Sequence, residues 1–375
     1  MPPEAVEILE RASEEFLRVF EREPRKDSDP VFLWKYLVSE EEVERQAIEA
    51  MQMAGLQPHF IYAYQKTGGL LLTSKNKSLT STKDQQDWEA AIDEYFELEK
   101  NPPELHLVDV LFESLKEELD SCIICLGYVL ENGLDSGAER LASSSEYFTV
   151  DDYVLVCAAK SMKTLRSIKA LLEENIGADT LALARHLLEN YFHMVFALAR
   201  PDMLRHLADA PVGLKMGTHD FARTTKGRID SRRILRKSDG LEYLGHISYY
   251  QMAESSRHPR DLELFDYMYS FLSEYTHPSL AGFELVLGEK GKLDSLSNEL
   301  QSEALFYSIC FAAMILDELR NLPIFLIEAK TDITTVVKRV GAKAETLIAA
   351  IFQGDEPGKS FGVLRDRLMT LGTSK

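Results

Sequence analysis

The chain has few cysteines, no long apolar run and a deficit of positive charge, and each shortage excludes a class of protein. Four cysteines in 375 residues are too few for a disulfide scaffold, so we expect a reducing, cytoplasmic location. The longest nearly continuous apolar run, 304–316, is shorter than the about 20 residues that cross a bilayer. The N-terminal residues do not resemble a signal peptide, and no membrane role is expected. A formal charge of −19 argues against a protein that coats DNA or an anionic membrane.

The common signatures of nucleotide-binding and hydrolytic enzymes are also missing. There is no complete Walker A motif, no G-x-G-x-x-G and no G-x-S-x-G. The nearest approach, Gly-Asp-Glu-Pro-Gly-Lys-Ser at 354–360, is one residue short and has two acids where phosphate would lie, so we interpret it as a loop. The C-x-x-C pair, Cys122 and Cys125, lies in an apolar helical pattern without a second pair, which favours core packing over a zinc or redox site.

Apolar residues at helical spacing are the main pattern in the sequence. A hydrophobic content of 45% with 27% charged residues is typical of a folded protein. Long apolar-periodic segments lie at 104–132, 150–176, 178–199, 261–276, 298–321 and 331–352. The predicted fold class is therefore all-α: a helical bundle with a smaller N-terminal helical domain and one irregular basic insertion, which has room for a short hairpin.

Three parts are predicted along the chain. Residues 1–102 form an acidic N-terminal helical domain that ends at the sequence Asn-Pro-Pro. Residues 103–330 form the main bundle with a polar cavity, and residues 331–375 form C-terminal helices packed on that bundle. The first hundred residues hold 21 acidic and 12 basic side chains, so we expect any protein partner to be recruited through this acidic domain.

Two otherwise apolar helices each carry a row of polar side chains. The first row falls within an arc of about 100° on residues 179–200 and contains Arg185, His186, Glu189 and His193. The second row, on residues 262–279, contains Asp266, Ser270, Ser273 and His277. Packing the rows together predicts a polar cavity in which Glu189 accepts hydrogen bonds from His277, Ser273 or Tyr269. The alternatives are that each row faces water, or that a buried network merely fixes the helix register.

A metal site is a weaker interpretation of the first row. His186, Glu189 and His193 follow the spacing H-x2-E-x3-H on one helix face and could converge on one divalent ion. The pattern is neither the H-E-x-x-H of zinc proteases nor the Glu-x-x-His of di-iron bundles. We therefore expect no cofactor and keep the metal as an alternative.

Residues 215–237 form a basic island in this acidic chain. Its candidate nucleic-acid-binding residues are Lys226, Arg228, Arg232, Arg233 and Arg236, accompanied by Lys215, Arg223 and Lys237 and opposed by Asp220 and Asp230. Tyr243, His246, Tyr249 and Tyr250 follow. Guanidinium groups on phosphate and aromatic rings on bases suit RNA or another phosphate-bearing ligand. The alternative, placed slightly ahead of binding, is that these arginines pair internally with the many carboxylates.

Two short segments, Ala-Arg-His-Leu-Leu-Glu-Asn at 184–190 and Tyr-Ser-Phe-Leu-Ser-Glu-Tyr-Thr-His-Pro-Ser at 269–279, resemble a large bacterial family of uncharacterised all-helical proteins. Members show an Arg-x3-Glu on one helix and a Tyr-x3-Ser-x3-His at the end of another. The matching residues here are Arg185, Glu189, Tyr269, Ser273 and His277, and the likeness covers roughly residues 105–325. Such proteins are in turn similar to the HEPN helical bundles, many of which are RNases of toxin and antiphage systems.

The resemblance implies an RNase or a nucleotide-binding protein of a defence or stress system. In that function Arg185 would hold phosphate, His277 would act as a general acid or base, and Glu189 would orient one of them. HEPN RNases use an Arg-x4-6-His motif, and this chain departs from it: residues 270–272, where that arginine belongs, are Ser, Phe and Leu. The alternative function is a non-enzymatic binding or scaffold protein whose polar network is structural.

Overall fold

The computed structural model describes residues 13–25, 29, 33, 48, 50–73, 77, 80–100, 107–174, 176–276, 300–352 and 359–372. The chain divides into two compact units, one formed by residues 38–110 and the other by residues 1–37 and 111–375. This division differs from the predicted 1–102 domain, because the helical stretch 13–20 and Arg22 contact the larger unit. The rings of Phe20 and Tyr128 lie 4.9 Å apart, and the Arg22 guanidinium forms a 2.7 Å ion pair with Asp332.

The smaller unit contains helices α1 (Pro58–Lys66) and α2 (Thr82–Lys100). Pro58 occupies the first turn of α1, where its missing N–H costs no hydrogen bond. The Ser81 hydroxyl accepts a 3.1 Å hydrogen bond from the Asp84 backbone N–H and so caps α2. The two helices pack through Ala63, Trp88 and Ala91, together with partly buried side chains from residues 70–72.

The larger unit is built around a central buried helix. Its long helices are α3 (Leu107–Asn132), α4 (Val150–Glu173), α5 (Gly177–Ala199), α11 (Gln301–Arg320) and α12 (Ile327–Phe352). Every side chain from Ala304 to Leu319 in α11 is buried, and this helix packs against α4, α5 and α12. The predicted all-α class is confirmed. Among the described residues, no helix is both long and apolar enough to cross a membrane.

The four cysteines lie in this core. Cys122, Cys125, Cys157 and Cys310 are all buried and none forms a disulfide. Burial raises the pKa of each thiol, to about 12 for Cys157, because the thiolate form would lose its hydration. The prediction that the C-x-x-C pair packs in the core is confirmed.

Short elements fill the region between α5 and α11. They are a 3-10 turn (Pro201–Met203), α6 (Leu204–Leu207), α7 (Asp209–Met216), β1 (His219–Arg223), β2 (Ile229–Arg236), β3 (Glu242–Leu244) and α8 (Tyr249–Glu254). The strands form an antiparallel sheet in the order β1-β2-β3, so the basic insertion holds the hairpin for which its sequence has room. Ile234 and Tyr243 bury one face of the sheet against Ala210 of α7.

A bulge interrupts this sheet. Phe221 pairs with Ile234 but the next residue, Ala222, pairs with Asp230, so residues 231–233 have no partner on β1. Gly245 passes so close to this bulge that a Cβ atom there would lie 2.0 Å from the Ser231 carbonyl oxygen. The position therefore requires glycine.

The second polar segment is not one continuous α-helix. It consists of α9 (Asp261–Leu264), a π-helical turn (Phe265–Tyr269) and α10 (Ser270–Glu274). The wider π turn changes the angular relation between the residues before and after it, and such turns often lie at functional sites. The last described helix, α13 (Lys359–Leu368), packs against α9, α11 and α12.

Candidate functional site

The two polar rows meet at Arg185. Its guanidinium reaches from α5 to the other segment, where Nη2 donates a 2.6 Å hydrogen bond to the Tyr269 hydroxyl and Nη1 donates to the Thr276 hydroxyl. Its Nε lies 3.1 Å from Oε1 of Glu189, one turn further along α5. The guanidinium also lies over the Tyr269 ring, 4.6 Å from its centroid. Arg185, Glu189 and Tyr269, predicted to line one cavity, are therefore in contact, and with Thr276 they form what we call the Arg185 cluster.

This cluster is shielded and charge-balanced. The side chains of Arg185 and Glu189 are 15% and 13% exposed. The Nε–H of Arg185 is not aligned with a hydrogen-bond acceptor, although Glu189 is at ion-pair distance. The Tyr269 hydroxyl is also 3.4 Å from the Glu189 carboxylate, to which it donates. Burial raises the pKa of Tyr269 against the opposing effect of Arg185, so its phenol is neutral at pH 7.

Two of the predicted site residues are not found in the cluster. The Ser273 hydroxyl donates a 2.5 Å hydrogen bond to the Tyr269 backbone carbonyl of its own helix instead of facing Glu189. His277 lies outside the described residues. Thr276, which the sequence analysis did not select, accepts the bond from Arg185 and donates to the Ser273 carbonyl at 2.9 Å. Its position three residues after Ser273 on one helical face is the signal that could have identified it.

An exposed histidine borders the cluster. Nδ1 of His186 is 3.0 Å from Oε2 of Glu189, and the His186 side chain is 59% exposed. A shielded carboxylate therefore orients an imidazole whose other nitrogen remains available to solvent. This arrangement suits proton transfer, because the carboxylate holds the ring in one orientation.

His193 belongs to a different environment. Its Nδ1 is 2.9 Å from the Tyr153 hydroxyl, and burial, assisted by the positive charge of Lys160, lowers its pKa to about 4 against a smaller opposing effect of Glu189. Within the described part of the chain, no three His, Cys, Asp or Glu side chains are placed to hold a metal ion. The predicted ligand set His186, Glu189 and His193 is therefore not assembled.

Aromatic rings form a wall beside the cluster. Tyr269 stacks on Phe265 at 4.9 Å and contacts Tyr249 at 5.3 Å, and Tyr249 in turn meets the His193 ring at 5.7 Å. Burial and the neighbouring Glu189 carboxylate raise the pKa of Tyr249, so it too remains a neutral phenol. Tyr249 follows the end of β3 by five residues, so its Cα lies within about 18 Å of the Cα of Leu244.

The five predicted nucleic-acid-binding residues separate into two groups. Arg233 forms a two-pronged ion pair with Glu242, at 2.8 and 2.5 Å, and Arg236 pairs with Glu146 at 2.9 Å and bonds the Tyr243 hydroxyl at 2.7 Å. The structure shows internal pairing for these two arginines, and their assignment to RNA binding stays a prediction.

The other three residues of the set remain available. Lys226 and Arg228 lie exposed in the turn between β1 and β2, and neither forms an ion pair within the residues that the structure describes. Arg232 lies in the bulge, 86% exposed, with a marginal 3.4 Å contact to Asp230. Within the described residues, internal pairing is therefore present at 3.4 Å for Arg232 and is not seen for Lys226 or Arg228.

The segment that carries both features is similar to a family of proteins. Residues 151–294 match a family of unknown function (DUF5677). This DUF5677 segment begins in α4 and contains both the Arg185 cluster and the basic sheet. Neither a curated protein nor a solved structure matches the chain.

A fully buried polar network, partly inside the DUF5677 segment, was missed by the sequence analysis. The Tyr191 hydroxyl donates a 2.7 Å hydrogen bond to Asp261, and Nη2 of Arg367 donates to the same hydroxyl at 3.2 Å. The Arg367 guanidinium also lies 3.5 Å from carboxylate oxygens of both Asp261 and Glu318. Burial raises the pKa of Asp261, against the opposing effects of Arg367 and the hydrogen bonds it accepts.

The network continues to the edge of the unit. Nε2 of His258 is 2.6 Å from Glu318, and Arg257, which is partly exposed, donates to that carboxylate at 2.8 Å. Burial alone would raise the pKa of Glu318, but the contacts from His258, Arg257 and Arg367 hold it below its usual value. These bonds join α5, α9, α11 and α13, so we interpret the network as structural. The feature of the sequence that pointed to this network is the pair of acidic residues, Asp317 and Glu318, directly after the apolar run 304–316.

Proposed function

We propose that this chain binds RNA through a basic hairpin, defined as residues 215–237, and that the Arg185 cluster is a structural frame beside it. The observation that carries the proposal is the exposure of Lys226, Arg228 and Arg232 on one short hairpin, in a protein with 61 acidic and 42 basic residues. Carboxylates are abundant, yet among the residues that the structure describes these three cations make one marginal ion pair, between Arg232 and Asp230. Cations left available in this way can replace the counterions of a phosphate backbone.

Aromatic groups accompany the hairpin. His246 and Tyr250, shortly after β3, are exposed, with 43% of Tyr250 accessible to solvent. Single-stranded RNA presents unstacked bases that aromatic rings can cover while lysine and arginine contact phosphate. The negative charge of the remaining surface would confine a polyanion to this hairpin, which fits local binding of a short strand better than wrapping of a long one.

The Arg185 cluster suits a frame better than a phosphate site. All three nitrogens of the Arg185 guanidinium already face Tyr269, Thr276 or Glu189, and the Glu189 carboxylate balances its charge. A phosphate group would have to displace these partners and approach Glu189, which costs desolvation and like-charge repulsion. We therefore assign Arg185 to holding α5 against the segment 261–276.

RNA cleavage is a second candidate, favoured by the His186–Glu189 contact and by the resemblance to HEPN-like RNases of defence systems. The exposed imidazole could accept the proton of a ribose 2′-hydroxyl. The 2′-oxygen would attack phosphorus and the bond from phosphorus to the 5′-oxygen would break, giving a 2′,3′-cyclic phosphate. The leaving 5′-oxygen would take its proton from the imidazolium or, through it, from water. His186 would take the role that the resemblance gave to His277.

Fluorescence anisotropy with a labelled single-stranded oligoribonucleotide tests the binding proposal. Three lost phosphate contacts should weaken binding on the order of 100-fold at about 0.1 M salt, from a slope of about 0.7 per contact. We expect this loss in the triple variant Lys226→Gln, Arg228→Gln, Arg232→Gln. The charge-matched control is Lys83→Gln, Lys163→Gln, Lys330→Gln, whose lysines lie elsewhere, and its binding should stay within about twofold of the original chain.

Equal losses in the two triple variants would contradict a site on the hairpin, and so would an original chain that does not bind RNA. Cleavage is followed with the same oligonucleotide by gel. If the second candidate holds, His186→Ala abolishes cleavage and leaves binding intact. An intact oligonucleotide after prolonged incubation with the original chain would refute the second candidate and leave the first.

A further inference from the structure

A cleft separate from the basic hairpin lies between α13 and the segment that begins at α9. It encloses about 310 Å³, at the lower end of the size of small-ligand pockets. Arg260 and Tyr267 line it from one side, and Lys359, Arg365 and Asp366 line it from the other. Lys359 is part of the Gly-Asp-Glu-Pro-Gly-Lys-Ser segment, so a residue first interpreted as part of a loop lies at a concave site.

The described side chains of the cleft carry a net positive charge. Arg260 lies 3.3 Å from Glu263 and 3.5 Å from Asp366, and Arg365 lies 3.6 Å from Asp366. Two carboxylates are thus shared by two arginines, at distances too long for strong charge-assisted hydrogen bonds. Lys359 is exposed and, among the described residues, pairs with no carboxylate. The described side chains of the cleft thus carry one more positive than negative charge, whereas the whole chain has a formal charge of −19.

The two arginines also hold unused donors. The Nε atoms of Arg260 and Arg365 are shielded from solvent and have no hydrogen-bond partner among the described residues. A shielded donor without an acceptor is unfavourable, and an oxyanion in the cleft would supply acceptors. Guanidinium groups fit phosphate oxygens especially well, because their donors are arranged as a planar fork.

From this convergence we propose that the α9–α13 cleft binds a small phosphate monoester, with Arg260, Lys359 and Arg365 contacting the phosphate. The volume is that of one small molecule. Tyr267 adds an aromatic surface that can cover a base, so a mononucleotide should bind more tightly than inorganic phosphate. The site is independent of RNA binding by the basic hairpin.

Isothermal titration calorimetry on the full chain tests this site with three probes: inorganic phosphate, adenosine 5′-monophosphate and adenosine. We expect both phosphate-bearing probes to bind and adenosine not to bind. Lys359→Gln and Arg365→Gln should each weaken binding of the nucleotide about tenfold. Lys359→Arg should restore most of it, because that variant keeps the charge. Tyr267→Ala should weaken the nucleotide and leave inorganic phosphate unchanged.

Lys163→Gln, which removes an exposed lysine of α4, and the triple variant of the basic hairpin should bind all probes like the original chain. Circular dichroism verifies that each variant is folded. The proposal is overturned if the phosphate-bearing probes do not bind at millimolar concentration, or if adenosine binds equally well. It is also overturned if Lys163→Gln or the hairpin variant loses as much affinity as Lys359→Gln, since binding would then not be local to the cleft.

Discussion

Replacing Glu189 by glutamine removes the carboxylate beside Arg185 while preserving the shape of the side chain. Both side chains are about 85% shielded, so the guanidinium would lose its charge balance in a place where water only partly compensates. Removing one partner of a fully buried ion pair costs about 3–5 kcal/mol. The remaining bonds to Tyr269 and Thr276 and the residual exposure reduce the expected loss to about 2–3 kcal/mol.

Urea unfolding at pH 7, followed by circular dichroism, measures this loss. The matched control is His186→Gln, because His186 contacts the same carboxylate but is mostly exposed, and we expect its cost to stay below about 0.5 kcal/mol. The double variant Arg185→Met, Glu189→Gln should be less destabilised than the sum of its single variants, since no unbalanced charge remains. A Glu189→Gln protein as stable as the original chain would refute the structural role that we assign to the cluster.

Three further predictions concern pH, the bulge and the buried network. His193 has a folded-state pKa of about 4, below its ordinary 6.5, so it contributes stability above pH 6.5 that is lost as the pH falls. The free energy of unfolding lost between pH 7.5 and 5 should therefore be about 2 kcal/mol smaller in His193→Gln than in the original chain. Equal losses would contradict this prediction. Gly245→Ala should abolish RNA binding, because the added Cβ would clash with the Ser231 carbonyl. Gly341→Ala, whose Cβ would have an ordinary 3.7 Å contact, should instead raise the urea midpoint. Arg367→Met should cost about 3 kcal/mol in urea unfolding, because it removes the cation paired with the buried Asp261, whereas Glu318 keeps Arg257 and His258. A cost below about 1 kcal/mol would contradict the network.

The spacing of apolar residues in the sequence predicted both the helical class and part of the Arg185 cluster. Apolar residues at helical spacing leave few polar positions, and Arg185 and Glu189, one turn apart on an apolar helix, are most readily buried against another polar row. Tyr269 belonged to that second segment. Of the alternative donors to Glu189, Tyr269 makes the bond and Ser273 does not, because a serine hydroxyl within a helix can bond the carbonyl four residues earlier.

Long-range pairing explains most of what the sequence could not predict. The partner of Arg236 is Glu146, ninety residues earlier, so composition could not separate it from Lys226, which has the same local surroundings but lies at an exposed turn. The Arg367 network depends on four helices that are far apart in the chain. Its charged members look like ordinary surface residues until the helices pack.

The dependence of RNA affinity on salt tests the proposed function most directly. Each phosphate contact contributes about 0.7 to the slope of log K against log of the salt concentration. The triple variant Lys226→Gln, Arg228→Gln, Arg232→Gln should therefore lower the magnitude of that slope by about 2 relative to the original chain, and the triple lysine control should not change it. An identical slope in the hairpin variant would contradict the account, because those three side chains would then not contact phosphate.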